Sequence, residues 1–381
     1  MSAGDPVPVR EALAPPVRTL LDVLAQPALA RGLALAQWDG VVRTARIAHL
    51  LGTLAARLDA EGALDACPAS VRAHLAGALL ETRHLAAMAR IEIDAVVRAL
   101  APLDVPLLLV KGAGYLAARL PHAAGRMLRD VDVLVPRARI AAVEQALLAA
   151  GWRAEGSLDA YDQRYYRRWS HQIPPLRRAG QPLELDVHHA ILPPTGRLRP
   201  DHAALLRDSR PAGAGVRVPD PADQVVHAAL HLFQDSDCTS RLRELVDVDA
   251  LVRLHAAREP SFAMQLAARA RLHGAERPVG YALAFAAAWL GTPVDEGALR
   301  AWRSGPQRRA RAWVVRRAAL ALPPPDPEHG RDRAARAAAR WLQARALWLR
   351  MPPSLLAYHG AMKAWRALRG QLARRRAARG P

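Results

Sequence analysis

Arg126-Met-Leu-Arg-Asp130-Val-Asp132-Val-Leu-Val135 is the stretch that decides how this chain reads. Val131, Val133 and Val135 alternate with Asp130, Asp132 and Leu134, the period of two that marks a β-strand. Both carboxylates therefore leave the strand on one face, while β-branched neighbours fill the other. Aspartate is depleted in ordinary strands, and like charges held close repel unless a cation lies between them. A cation such as magnesium takes oxygen ligands, keeps several waters and borrows phosphate oxygens from a substrate. Paired strand carboxylates thus point to metal-assisted phosphoryl or nucleotidyl transfer. The plain alternative is a strand that shows two acids to water.

Working outward, Val105-Pro-Leu-Leu-Leu-Val110 is a short apolar run ending in Lys111-Gly112-Ala113-Gly114 and then Tyr115-Leu-Ala-Ala-Arg-Leu120. A buried strand, a glycine turn and a helix start are expected in that order. Glycines in such a turn let backbone N–H groups approach a phosphate, and Lys111 adds a point charge. The spacing is not that of a P-loop or a dinucleotide turn. Downstream, Pro182-Leu-Glu184-Leu-Asp186-Val-His188-His189 alternates again, with Glu184, Asp186 and His188 on one face. If this strand lies beside the Asp130 strand, Asp186 or Glu184 can supply the third carboxylate of a two-metal site, or a base for an acceptor hydroxyl. His188 is either a group that touches a carboxylate or substrate, or a structural histidine. The alternative for the whole segment is an amphipathic edge strand.

Lys111-Gly112, then Arg126 four residues before Asp130-Val-Asp132, then Asp186-Val-His188 resembles the uncharacterised nucleotidyltransferase-like family of bacteria, a branch of the polymerase-β-type superfamily. The resemblance runs over roughly residues 35–255. It takes in Trp38, Ala45, His49 and Leu50, the segment His171-Gln-Ile-Pro-Pro-Leu176, and both His231-Leu-Phe and Leu242-Arg-Glu-Leu-Val-Asp247. It implies that Asp130, Asp132 and Asp186 bind metal, two Mg²⁺ ions in all, and favours Asp186 over Glu184. It also makes Lys111, Gly112 and Arg126 the triphosphate contacts, with His188 and Glu184 as outer groups. Three departures stand out, one being that the loop from Gly112 to Asp130 is longer than in compact nucleotidyltransferases. Gly112-Ala113 replaces the Gly-Ser turn usual in the superfamily, and Met127 stands where proline is common.

Composition supplies the frame. The 381 residues suffice for two or three domains, and alanine and leucine with few aromatics favour helices. Two isolated cysteines, Cys67 and Cys238, argue against a disulfide framework or zinc site and fit a reducing cytoplasm. Met1-Ser-Ala-Gly-Asp-Pro shows no leader pattern. Apolar residues recur at helical spacing over residues 10–100, as in Leu51, Leu54 and Leu58. A mixed α/β (α+β) fold follows: a nucleotidyltransferase core at 101–218, helical regions at 1–100 and 219–322, and at 323–381 a Pro-rich linker with a basic amphipathic tail. His227 and His231 are expected to line the cleft or pack; Asp235, Asp237 and Glu244 read as a solvated helix end.

Charge is lopsided: from residue 301 onward nineteen Lys and Arg face three Asp and Glu, against a chain total of +19. Trp341, Trp348, Leu355, Tyr358, Met362, Trp365, Leu368 and Leu372 recur between those arginines at near-helical spacing, broken at Pro352-Pro353. Such helices pack on the protein body, lie on an anionic membrane surface, or bind nucleic acid. The expectation is a cytoplasmic, Mg²⁺-dependent enzyme that moves a nucleoside monophosphate from an NTP such as ATP to a hydroxyl acceptor, with a site peripheral to the inner membrane as one setting. An inactive scaffold or membrane-surface adaptor of the same fold and an RNA-modifying nucleotidyltransferase are the alternatives.

Overall fold

The computed structural model describes residues 8–154, 159–213, 215–235, 238–304 and 307–377. The stretch Met1–Pro6 and Asp237 lie outside the described residues, as do the side chains of Asp235 and Leu372.

The chain opens with four helices: α1 (Pro15–Ala25), α2 (Leu35–Ile47), α3 (Leu51–Ala60) and the 32-residue α4 (Ala69–Leu100). The core follows as β1 (Leu107–Leu109), α5 (Lys111–Ala117), β2 (Asp130–Leu134), α6 (Ile140–Ala149), β3 (Trp152–Ala154), α7 (Ala160–Arg168), β4 (Leu176–Arg178) and β5 (Glu184–His188). After α8 (His202–Arg207), β6 (Arg210–Pro211) and β7 (Val216–Val218), the rest is helical. These helices are α9 (Pro221–Leu230), α10 (Leu242–Arg258), α11 (Phe262–Leu272), α12 (Glu276–Leu290), α13 (Glu296–Ser304), α14 (Arg308–Ala321), α15 (Arg333–Arg350) and α16 (Pro353–Ala377).

Seven strands form one mixed sheet in the order β3-β4-β5-β2-β1-β7-β6. β1 and β2 run antiparallel, whereas β2 with β5 and β1 with β7 run parallel. The fold is thus the expected α+β arrangement of a mixed sheet among helices.

The strand alternation sorts side chains between two cores. Val131, Val133, Leu185 and Val187 are fully buried against Ile93 and Val96 of α4 and Val143 and Leu147 of α6. A second core joins the first helices to the last ones: Leu20, Leu21 and Leu54 belong to one cluster with Val225, Leu245, Phe285, Trp289 and Leu342. N-terminal and C-terminal helices therefore bury their apolar faces in one another, and the free face of the sheet is roofed by α9 and α10. The proline-rich tract at 323–330 is the turn between α14 and α15, which pack side by side and are braced by an Asp326–Gly330 bridge.

Two local readings need correction. The helix begins at Lys111 itself, so Gly112 and Gly114 lie inside α5 instead of in a loop before it. A Cβ on Gly114 would come within 2.6 Å of the Leu109 carbonyl oxygen, and one on Gly112 would strike Arg126 Nη1 and Leu128. Both glycines let α5 press onto β1 and the loop before β2. Glu244, in turn, is a buried side chain held by Arg241 and Arg243, not part of a solvated end.

Candidate functional site

The parallel pairing of β2 and β5 sets Asp130 opposite Glu184, Asp132 opposite Asp186 and Leu134 opposite His188. Because the side-chain period of a strand is two, the acids of both strands rise on the face under α9 and α10. Asp132 is at the centre, fully buried. Its Oδ1 accepts from Lys111 Nζ at 2.8 Å and lies 2.9 Å from His188 Nε2. Lys111 reaches it from a left-handed backbone, φ 49°, a conformation that costs a lysine on the order of 1 kcal/mol and clusters at functional sites. Asp186 Oδ1 accepts from Gln172 Nε2 at 3.1 Å. Asp132, Asp186 and His188 can each offer a ligand atom within 4.8 Å of the others, the one such group among the described residues. Asp130, two residues back along β2, stands outside that tight group.

Three carboxylates and one lysine leave the charge uneven. Repulsion from Asp132, with burial behind it, raises the Asp130 carboxyl to about 6. Burial and the same neighbour raise Asp186 to about 7. Burial works against ionised Asp132 as well, but Lys111 and His188 overcome it and hold that carboxyl well below the usual range. Burial also disfavours charged Lys111, and the surrounding carboxylates outweigh it and raise its affinity for its proton. Among the described residues no cationic side chain pairs with Asp130 or Asp186.

All six residues singled out as metal or triphosphate groups, Lys111, Gly112, Arg126, Asp130, Asp132 and Asp186, line one cavity of about 270 Å³ between the sheet and the α9–α10 roof. Glu184 and His188 do not. Glu184 is paired with Arg177 at the mouth of the sheet. His188 sits behind Asp132, its ring stacked on His171 with centroids 5.2 Å apart, beside a void of about 10 Å³ that His227 and His231 also line. Burial, then the charge of Lys111, lowers His227 to about 3 and His231 well below its ordinary value, so both rings are neutral. A larger groove of about 570 Å³ lies between α3, α4 and residues 119–125, but none of the carboxylates reaches it. Chemistry, not volume, marks the site.

Arg126 occupies the cavity wall differently from a free phosphate ligand. Its Nε and Nη2 donate to both oxygens of Asp247 on α10 at 2.9–3.1 Å, and its guanidinium lies over the Tyr115 ring. Burial opposes its charge, and Asp247 more than restores it, so the guanidinium stays ionised. Arg243 donates to the Met127 carbonyl at 3.0 Å, which makes α10 a second anchor for the segment entering β2. Sequence reasoning gave no role to Tyr115, Gln172, Arg241, Arg243 or Asp247. Gln172 and the α10 residues did fall in segments that carried the resemblance, the one signal available for them.

The donor set suits a divalent cation. It has three acids on one face, two of them without a cationic partner among the described residues, and the rings of His171, His188, His227 and His231 behind. No curated protein and no solved structure matches the chain. The family model described as uncharacterised nucleotidyltransferase matches residues 35–291, a span that begins in α2, takes in every residue of the cavity and ends after α12. With two-thirds of its length inside that match and the acidic cluster at its centre, the chain belongs to the nucleotidyltransferase family.

Proposed function

We propose that the protein transfers a nucleoside monophosphate from an NTP to a hydroxyl group on a small molecule, saccharide or peptide product, with Mg²⁺ held by Asp130, Asp132 and Asp186. The observation that carries this reading is the β2–β5 register, which sets Asp132 beside Asp186 and leaves two of three acids short of a cation. The bound ions would supply positive charge to the triphosphate oxygens and to the ionising acceptor hydroxyl.

The chain's own groups divide the remaining work. Lys111, Arg126 and the cavity-facing Arg241 attract the triphosphate, while Gly112 leaves the room a Cβ would fill. Arg126 does so with Nε and Nη2 fixed on Asp247, so it arrives oriented. Asp186, oriented by Gln172, completes the metal site beside the acceptor hydroxyl and, once ionised there, takes the hydroxyl proton. His188 fixes Asp132 from behind. The catalytic core is assigned to residues 101–218. Two buried free cysteines agree with a reducing cytoplasmic setting.

Calorimetry with each NTP in the presence of Mg²⁺ tests the reading, comparing wild type with Asp130→Ala/Asp132→Ala. Metal-dependent binding of one NTP, abolished in the double variant, is the expected result. A folded wild type that binds no NTP with Mg²⁺ would remove the proposal.

A further inference from the structure

Helices α14, α15 and α16 carry sixteen Lys and Arg (five, five and six) and not one Asp or Glu. Most surface helices interleave both signs; here Arg311 is buried and Arg366 pairs with Asp159 and Asp162, while the other cations meet no acid on their own helices. The buried stripe of α15 is Ala335, Ala338, Leu342 and Ala346, which packs the helix on the body of the protein. Large apolar side chains also stand on the solvent side of these helices. Trp313 and Leu320 on α14 are seven residues apart and so share a face, as do Trp341 and Trp348 on α15. All four are exposed, Trp313 to 49% and Trp348 to 47%. Arg317 is sandwiched between the two helices' tryptophans, 3.9 Å from the Trp313 ring centre and 4.6 Å from that of Trp341. On α16, Trp365 and Leu368 are about half exposed again.

Large apolar side chains ringed by cations match two kinds of surface, nucleic acid and anionic lipid. The ring geometry chooses between them. Base stacking needs a free aromatic face, and one face of each ring is already taken by an arginine: Arg317 on Trp313 and Trp341, Arg197 at 4.1 Å on Trp348, and Arg369 at 4.7 Å on Trp365. Exposed Leu320 and Leu368 offer nothing to a base. An indole whose edge enters the acyl boundary, with an arginine beside it at headgroup level, is instead how amphipathic helices sit in a membrane interface. No described helix is long and apolar enough to cross a membrane.

We propose that the outer face of the α14–α15 hairpin, continued by α16, is a docking surface for an anionic lipid bilayer, with the tryptophans inserted at the interface and the arginines on headgroup phosphates. Such a surface would hold the transferase against a membrane-borne or membrane-proximal acceptor.

Flotation of the full chain with vesicles tests this. Wild type should partition at least tenfold more strongly into phosphatidylcholine vesicles containing phosphatidylglycerol than into pure phosphatidylcholine, and the difference should shrink as salt rises. Trp341→Ala/Trp348→Ala, whose side chains are exposed, should keep the wild-type melting temperature and lose at least tenfold in partitioning. Arg309→Gln/Arg340→Gln should weaken the anionic preference without touching the apolar anchor. Absent binding to anionic vesicles, or equal binding to both vesicle types, would overturn the proposal. So would polyuridylate binding that the tryptophan variant loses while its vesicle binding stays intact.

Discussion

Arg126 and Asp247, 121 residues apart in the chain, meet in a buried fork: Nε and Nη2 of the arginine donate to both carboxylate oxygens. The pair ties the segment leading into the acidic strand to the helical roof, so the cavity owes its shape to a contact between the sheet and α10.

Removing one partner should show this. Asp247→Ala leaves a guanidinium buried without its carboxylate, a loss of about 3–5 kcal/mol by the general behaviour of buried pairs. Arg126→Met/Asp247→Leu removes both charges and should recover most of the melting temperature while leaving nucleotide binding weak. An Asp247→Ala protein that melts within a degree of wild type would contradict the anchoring role.

Gly112 and Gly114 separate packing from chemistry. Gly114→Ala forces its new methyl against the Leu109 carbonyl, and backbone has no rotamer to escape into. We expect destabilisation of about 1–3 kcal/mol, the usual cost of overpacking. Gly112→Ala meets side-chain atoms, Arg126 Nη1 and Leu128 Cδ2. Leu128 can move, but Arg126 is pinned by Asp247, so the strain falls on the triphosphate wall. Its melting temperature should drop less than that of Gly114→Ala, and its affinity for nucleotide should drop more. Paired thermal melts and nucleotide titrations decide this, and the reverse order would refute it.

Much of this site was legible locally. The alternation in β2 and β5 placed Asp130 with Asp132 on one strand face, and Asp186 with Glu184 and His188 on another, because a period of two needs only a handful of consecutive residues. That the strands adjoin was left conditional, since pairing joins segments about fifty residues apart and no local pattern encodes it. Asp247 was invisible as Arg126's partner for the same reason, at greater distance. The glycines of α5 were misplaced because close backbone approach and phosphate cradling leave the same sequence mark. In α15 the tryptophans carry the strongest apolar signal, yet the face that packs is Ala335, Ala338, Leu342 and Ala346, mostly alanine, which an alanine-rich chain hides.

Acid should weaken the fold through histidines outside the site. His122, His202 and His255 are each lowered to about 4, mainly by burial. His122 Nε2, His202 Nδ1 and His255 Nε2 are shut from solvent and make no hydrogen bond among the described residues. The folded values lie below the unfolded 6.5, so under pH 6.5 the unfolded chain binds protons that the folded chain refuses. Stability is therefore intact above about 6.5 and falls as pH drops toward 4, by up to about 1.4 kcal/mol per pH unit for each histidine. His255→Gln should flatten the decline in melting temperature between pH 6.5 and 5; an unchanged slope would exclude His255 as a contributor.

The carboxyls of the cavity should behave in the opposite sense, and metal should reveal them. Asp130 near 6 and Asp186 near 7 lie above their unfolded value of 3.8. Their contribution to stability is fully present below the unfolded value and is lost as pH rises through 6 to 7, when like charges accumulate around Asp132. A ligating carboxylate must be ionised, so Mg²⁺ competes with those protons. Affinity for Mg²⁺ should climb between pH 5.5 and 8, and binding near pH 6 should release more than one proton. Calorimetry in two buffers of different ionisation enthalpy reads that number directly. Asp186→Asn should reduce the release by about one proton at pH 6 while keeping the fold, because an amide can still accept from Gln172. The thermal shift given by Mg²⁺ should likewise be larger at pH 8 than at pH 6, where protons already quiet the repulsion. Mg²⁺ affinity that stays level from pH 5.5 to 8 would take Asp130 and Asp186 out of the ligand set and leave Lys111 as the cation that Asp132 was built to hold.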